Sequence, residues 1–99
     1  MKAIQFKGSD ISEINIDNTL EALQAAVLGY IEVVTLVPDQ AVMIINEEGR
    51  LHQMKPNIMA SAIAGRKIVG PALVVGVDGE EFTSIPPEVA RHIKVRCNV

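Results

Sequence analysis

The sequence predicts an α+β domain: a mostly antiparallel sheet of five or more strands, with one main helix packed on a face and two short helices. Short apolar runs, alternating or β-branched, recur between turn-forming pairs such as Gly8-Ser9 and Asp78-Gly79. Between them one segment, Thr19 to Leu28, carries a clear helical period, and two shorter ones follow Asn57 and Pro86. A length of 99 residues with 48% apolar and 21% charged side chains suits one globular domain over residues 1–99.

Lys2 to Phe6 and Ser12 to Ile16 alternate polar with apolar residues around Gly8-Ser9-Asp10, which predicts a first hairpin. Asn18 and Glu21 have the spacing of a capping box, and Leu20, Leu23 and Val27 then recur on one helical face before Gly29. Tyr30 to Val37 is rich in β-branched residues and Ala41 to Ile45 is apolar throughout, so two strands are expected around the Pro38-Asp39-Gln40 loop. Asn46-Glu47-Glu48-Gly49 has turn chemistry, with Gly49 expected at positive φ and Arg50 to Met54 returning as a short strand.

Asn57 is placed to cap a short helix in which Ile58, Met59, Ala62 and Ile63 form i, i+4 pairs before Gly65. The uninterrupted apolar run Ala72 to Val77 predicts a central strand, followed by a tight hairpin into Glu81 to Ser84. Pro86-Pro87-Glu88 starts a last helix with Val89 and Ile93 on one face, and the tail Val95, Cys97, Val99 alternates as a strand does.

Charge is distributed unevenly. From Gly8 to Gly49 there are eight acids and no Lys or Arg; from Arg50 to Val77 there are four bases and no acid. Such asymmetry implies either that the two halves fold against each other or that one face meets a charged ligand. A net charge of −3 gives no footprint for duplex DNA, and 3% aromatic residues leave few rings for stacking single-stranded bases. The longest uncharged stretch, Ile68 to Val77, is too short to cross a bilayer, the start lacks a signal-peptide core, and the lone Cys97 has no disulfide partner. A cytoplasmic protein that contacts no membrane is the expectation.

Catalytic and cofactor motifs are missing from the pattern. There is no Gly-x-Ser-x-Gly elbow and no phosphate-loop signature, and one Cys with two His cannot supply a zinc ligand set, so neither metal nor cofactor is expected. The candidate binding residues are Arg50, His52, Lys55, Asn57, Arg66 and Lys67, all in the basic segment, with Asn57 opening a helix beside Lys55. An anionic small molecule or an acidic partner fits that chemistry.

Tyr30-Ile31-Glu32-Val33-Val34, Asn46-Glu47-Glu48-Gly49-Arg50-Leu51, Pro56-Asn57, Ile68-Val69-Gly70 and Leu73 through Thr83 together form a pattern. It resembles the family called domain of unknown function 3846, over roughly Thr19 to Val89, and departs from it in the Met-rich stretch Met54 to Met59. The resemblance implies a small product of a phage or mobile element and transfers no catalytic residue. The expected function is therefore a non-catalytic binding protein that engages a host molecule, with counter-defence as its use, by sequestering a nucleotide-like anion or blocking a host protein. The alternatives are an assembly module forming homo-oligomers and, behind it, a small enzyme.

Overall fold

A computed structural model of residues 1–99 orders the chain as β1 (Lys2–Lys7), β2 (Asp10–Asn15), α1 (Leu20–Val27), β3 (Ile31–Val37), β4 (Ala41–Asn46), α2 (Ile58–Ala64), β5 (Ala72–Asp78), β6 (Glu81–Thr83) and α3 (Pro87–Cys97). All strand pairings are antiparallel, in the order β2-β1-β5-β4-β3, and β6 joins β5 beyond the reach of β1. The architecture is the α+β one that the sequence predicts. No helix is long and apolar enough to cross a membrane.

Alternation along the central strands sends side chains to two separate cores. Ile4, Phe6, Met43, Ile45, Ala72 and Val74 meet Ala60 of α2 and Ala90, Ile93 and Cys97 of α3 on one face. Ala3, Val42, Ile44, Leu73 and Val75 meet Leu23 and Val27 of α1 on the other. The sheet is thus the middle of three layers, and β4 and β5, paired on both edges, are apolar over the stretches covered on both faces, Ala41 to Ile45 and Ala72 to Val75. That is why Ala72 to Val77 reads as an unbroken run.

Local signals were displaced in four places. The cap of α1 is Thr19, whose Oγ1 accepts the Ala22 N–H at 3.2 Å, while Asn18 instead donates to the Phe82 carbonyl at 2.7 Å. Arg50 to Met54 forms no strand, because both edges of β4 are already taken by β3 and β5; the segment turns, with His52 N–H donating to Glu48 O at 3.0 Å and Met54 N–H to Gly49 O at 3.0 Å. Gly49 is not among the positive-φ glycines. A Cβ there would sit 2.9 Å from Val69 Cγ2 and 3.3 Å from Val69 O, so close packing rather than backbone conformation demands a glycine.

The tail is helical to Cys97. Val89, Ile93 and Cys97, spaced at i, i+4, i+8, face the sheet, whereas Val95 is 74% exposed. Asn98 ends the helix at φ 59°, and Lys94 and Arg96 sit in the last turn, where cations complement the helix dipole. Burial pushes the Cys97 thiol above its ordinary range against the opposing field of Arg96, which makes it a core side chain and a poor nucleophile.

Val74 and Val75 are both fully buried, on opposite faces of β5. Either Val→Asp substitution buries an unpaired carboxylate, at a cost of several kcal/mol that rivals the ~5 to 15 kcal/mol by which a small domain is stable. Both variants should lose the cooperative urea transition of the parent chain; a retained transition in each would show that β5 is not central.

Candidate functional site

The strand registers bring four connections to one end of the sheet. Phe6 and Ile45 both lie opposite Ala72, and Ile31 lies opposite Asn46. The β1–β2 turn, the α1–β3 turn, the long loop from β4 to α2 and the segment from α2 to β5 therefore converge, and three surface depressions open among them.

Two buried asparagines hold this end together. Asn46 donates through Nδ2 to the Val27 carbonyl at 2.9 Å and accepts the Glu48 N–H at 2.7 Å. Asn57 donates through Nδ2 to Phe6 O at 3.0 Å and Gly70 O at 2.9 Å, and its Oδ1 accepts the Ala60 N–H at 3.2 Å. Ser61 completes the tie, with its Oγ accepting the Ile68 N–H at 2.8 Å and donating to Asn57 O at 2.6 Å. Asn57 caps α2 as the sequence predicts, but both its amide hydrogens are committed and it is 2% exposed. Its carboxamide is a structural clamp.

The other five candidate residues divide among the three depressions. Arg50, Arg66 and Lys67 line a groove of about 430 Å³, and so do Glu32, Glu47 and Glu48. Arg66 Nη2 stands 3.7 Å from Glu32 Oε2, so the cations are met by as many acids and no field of one sign persists there. His52 lies in a second depression with Gln24, Gly29 and Tyr30, its Nε2 3.8 Å from Glu48 Oε1. Both pairs are exposed and contribute ~0 to 1 kcal/mol.

Lys55 occupies the third groove, about 280 Å³, with Lys7, Gly8, Leu28, Met54, Pro56, Asn57, Gly70 and Pro71. No acid lines it. Lys7 faces Asp10 across the hairpin register, yet neither lysine forms an ion pair. Leu28 is 68% exposed and held at φ 66°, in the left-handed region that a leucine adopts at a cost of roughly 1 to 2 kcal/mol. A glycine would relieve that strain, but the glycine is one residue later, where a Cβ would lie 2.8 Å from Asn46 Nδ2. The position is the C-cap of α1, and it presents an apolar side chain to the groove.

Sequence reasoning missed Lys7 and Leu28. Lys7 belongs to a different charge segment from Lys55; the antiparallel pairing of β1 with β5 places the end of β1 beside the approach to β5, and the Gly70 N–H, donating to Lys55 O at 2.9 Å, ties Lys55 to that approach. The signal for Leu28 was its place directly after the helical period, where an αL residue commonly ends a helix.

A family model described as domain of unknown function (DUF3846) matches residues 1–98. The chain belongs to the DUF3846 family. No curated protein and no solved structure gives a match. In this DUF3846 chain the most specific resembling segments lie at opposite ends of the sheet: Asn46 to Gly49 builds the groove end, and Asp78 to Thr83 forms the far hairpin.

Asn57→Ala leaves the Phe6 and Gly70 carbonyls and the Ala60 N–H without this partner, and should lower the stability of the DUF3846 chain by about 3 kcal/mol in urea unfolding. A loss below a few tenths would mean that water satisfies those groups. Gly49→Val should cost about 1 to 3 kcal/mol through overpacking against Val69, with Gly49→Ala nearer the lower figure. Equal stability of all three chains would show that the loop is free to move away.

Proposed function

We propose that this DUF3846 protein is a non-catalytic binding module of a phage or other mobile element, acting in the host cytoplasm. It takes an anionic small molecule, nucleotide-like in having a phosphate and a flat ring whose faces can stack on apolar side chains, in the groove between Lys7 and Lys55. Sequestering such a host signal is the counter-defence use that follows.

The observation that carries this reading is the pairing of two unneutralised lysines with apolar walls and no acid in one groove. Lys7 and Lys55 are suited to a phosphate, and Leu28, Pro56 and Pro71 to the face of a ring. A volume of about 280 Å³ is at the small end for a ligand site, which favours a mononucleotide-sized guest. Where partly shielded from water, each charge-assisted contact would contribute ~1.5 to 3 kcal/mol. The groove at Arg50, Arg66 and Lys67 is a weaker candidate because Glu32, Glu47 and Glu48 share it.

Calorimetric titration with a panel of mono- and cyclic nucleotides tests the assignment, with recovery of unaltered nucleotide marking binding without turnover. Lys7→Glu with Lys55→Glu should abolish binding in a chain of unchanged melting temperature, Arg50→Glu with Arg66→Glu should keep it, and affinity should fall with added salt. The reverse pattern between the two double variants would move the site to the larger groove. A wild-type chain that binds no nucleotide but retains a host protein would favour blocking over sequestration.

A further inference from the structure

The two long edges of the sheet are β2 and β3, and they are protected very differently; the third, β6, is three residues long and its Phe82 carbonyl is taken by Asn18. β2 carries Asp10 and Glu13, the latter 2.9 Å from Lys94 Nζ, and charges of this kind discourage another strand from pairing. β3 has one charge in seven residues and no Lys or Pro; that charge, Glu32, is drawn toward Arg66.

The backbone of β3 is also available. Tyr30 O accepts the Glu47 N–H at 2.8 Å, which directs the hydrogen-bonding groups of Tyr30, Glu32 and Val34 toward β4. Alternation then turns the N–H and C=O of Ile31, Val33 and Thr35 outward, and none of these six groups takes part in the turn, loop or side-chain bonds of the chain. A register shift between Thr35 and Val37 ends the regular pairing, so the straight segment is Ile31 to Thr35, with Val33 at its centre.

We propose that two copies of this chain pair their β3 strands antiparallel about a two-fold axis at Val33, fusing two six-stranded sheets into one. In that register Ile31 faces Thr35 of the other copy and Val33 faces its counterpart, so all six outward groups are bonded. The same register sets Glu32 opposite Val34, so the only charge of the strand never meets itself. Ile31, Val33 and Thr35 are all β-branched and share the α1 face, where Val33 is 45% exposed, and cross-strand pairs of such residues stabilise a sheet. Five paired residues bury less than the ~1,200 Å² of a standard interface, so the dimer is reversible and concentration-dependent. No residue of β3 lines the Lys7–Lys55 groove, so pairing leaves both grooves of the dimer open, and the proposal stands whether or not that groove binds an anion.

Sedimentation equilibrium of the whole chain from micromolar to millimolar concentration should show the average mass rising toward twice the monomer. Val33→Lys, which sets two ammonium groups opposite each other at the axis, should hold the chain monomeric over that range with unchanged melting. As a second measurement, Val33→Cys treated with a short bismaleimide should give cross-linked dimers, while Val95→Cys on α3, at a position more exposed than Val33, should not. A wild-type chain monomeric throughout, including one that instead accepts an added extended peptide on β3, overturns the proposal. Equal dimerisation of Val33→Lys, or equal cross-linking at positions 33 and 95, overturns it as well.

Discussion

Asn57 bonds three parts of the chain that share no sequence neighbourhood: the end of β1 through Phe6 O, the approach to β5 through Gly70 O, and the first turn of α2 through Ala60 N–H. A buried carboxamide with its donors filled is worth little more than a replaced water contact, but the same group half-filled leaves several backbone polar atoms dry. This asymmetry makes the arrangement all-or-none. With Asn57 in place, α2 lies on the sheet, Ile68 enters the core beside Ala60, and the loop from β4 has a fixed landing point.

Rigidity at this end follows from a second constraint, the burial of β4 and β5 on both faces. Strands with no free edge and no wet face cannot carry polar side chains, so polar chemistry is displaced to the connections at their ends. Asn46 is the last residue of β4 and the first that reaches such a connection, where it joins the α1 terminus to the Glu48 turn. Leu28 and Lys55 are presented by connections anchored in this way, and Lys7 by the end of β1. A ligand there would meet a backbone already ordered by folding, and binding would have to order only the exposed side chains of Lys7, Leu28 and Lys55.

The separation of charge along the chain is largely undone by the fold. Glu32 from the acidic segment meets Arg66 from the basic one, and Glu47 and Glu48 share a groove with Arg50 and Lys67. Exposed pairs of this kind hold little energy, but they cancel the local field and so remove the main argument for a site at the larger groove. Lys55 keeps its field because its spatial neighbour is another lysine, Lys7.

Patterns set by residues close in the chain were legible in the sequence: the first hairpin, the β3–β4 and β5–β6 pairs, the apolar β5, and α2 with its Asn57 cap. Each rests on side-chain period, turn chemistry or a cap, all of which act over a few residues. Where local signals competed, tertiary contacts chose. Asn18 yielded its capping role to Thr19 because the Phe82 carbonyl is within its reach, and Arg50 to Met54 found β4 already paired on both sides. Val95, Cys97 and Val99 looked extended because they alternate with polar residues, but on a helix Val95 and Cys97 point to nearly opposite sides, and only Cys97, four residues after Ile93, reaches the core. The candidate site divided along the same line. Residue type and chain position alone put the charges of Arg50, Lys55, Arg66 and Lys67 near the β4–α2 and α2–β5 connections. Strand order then decided which of these charges meets an acid and which meets Lys7, because contacts between residues so far apart depend on the pairing of β1 with β5, and no local pattern encodes it.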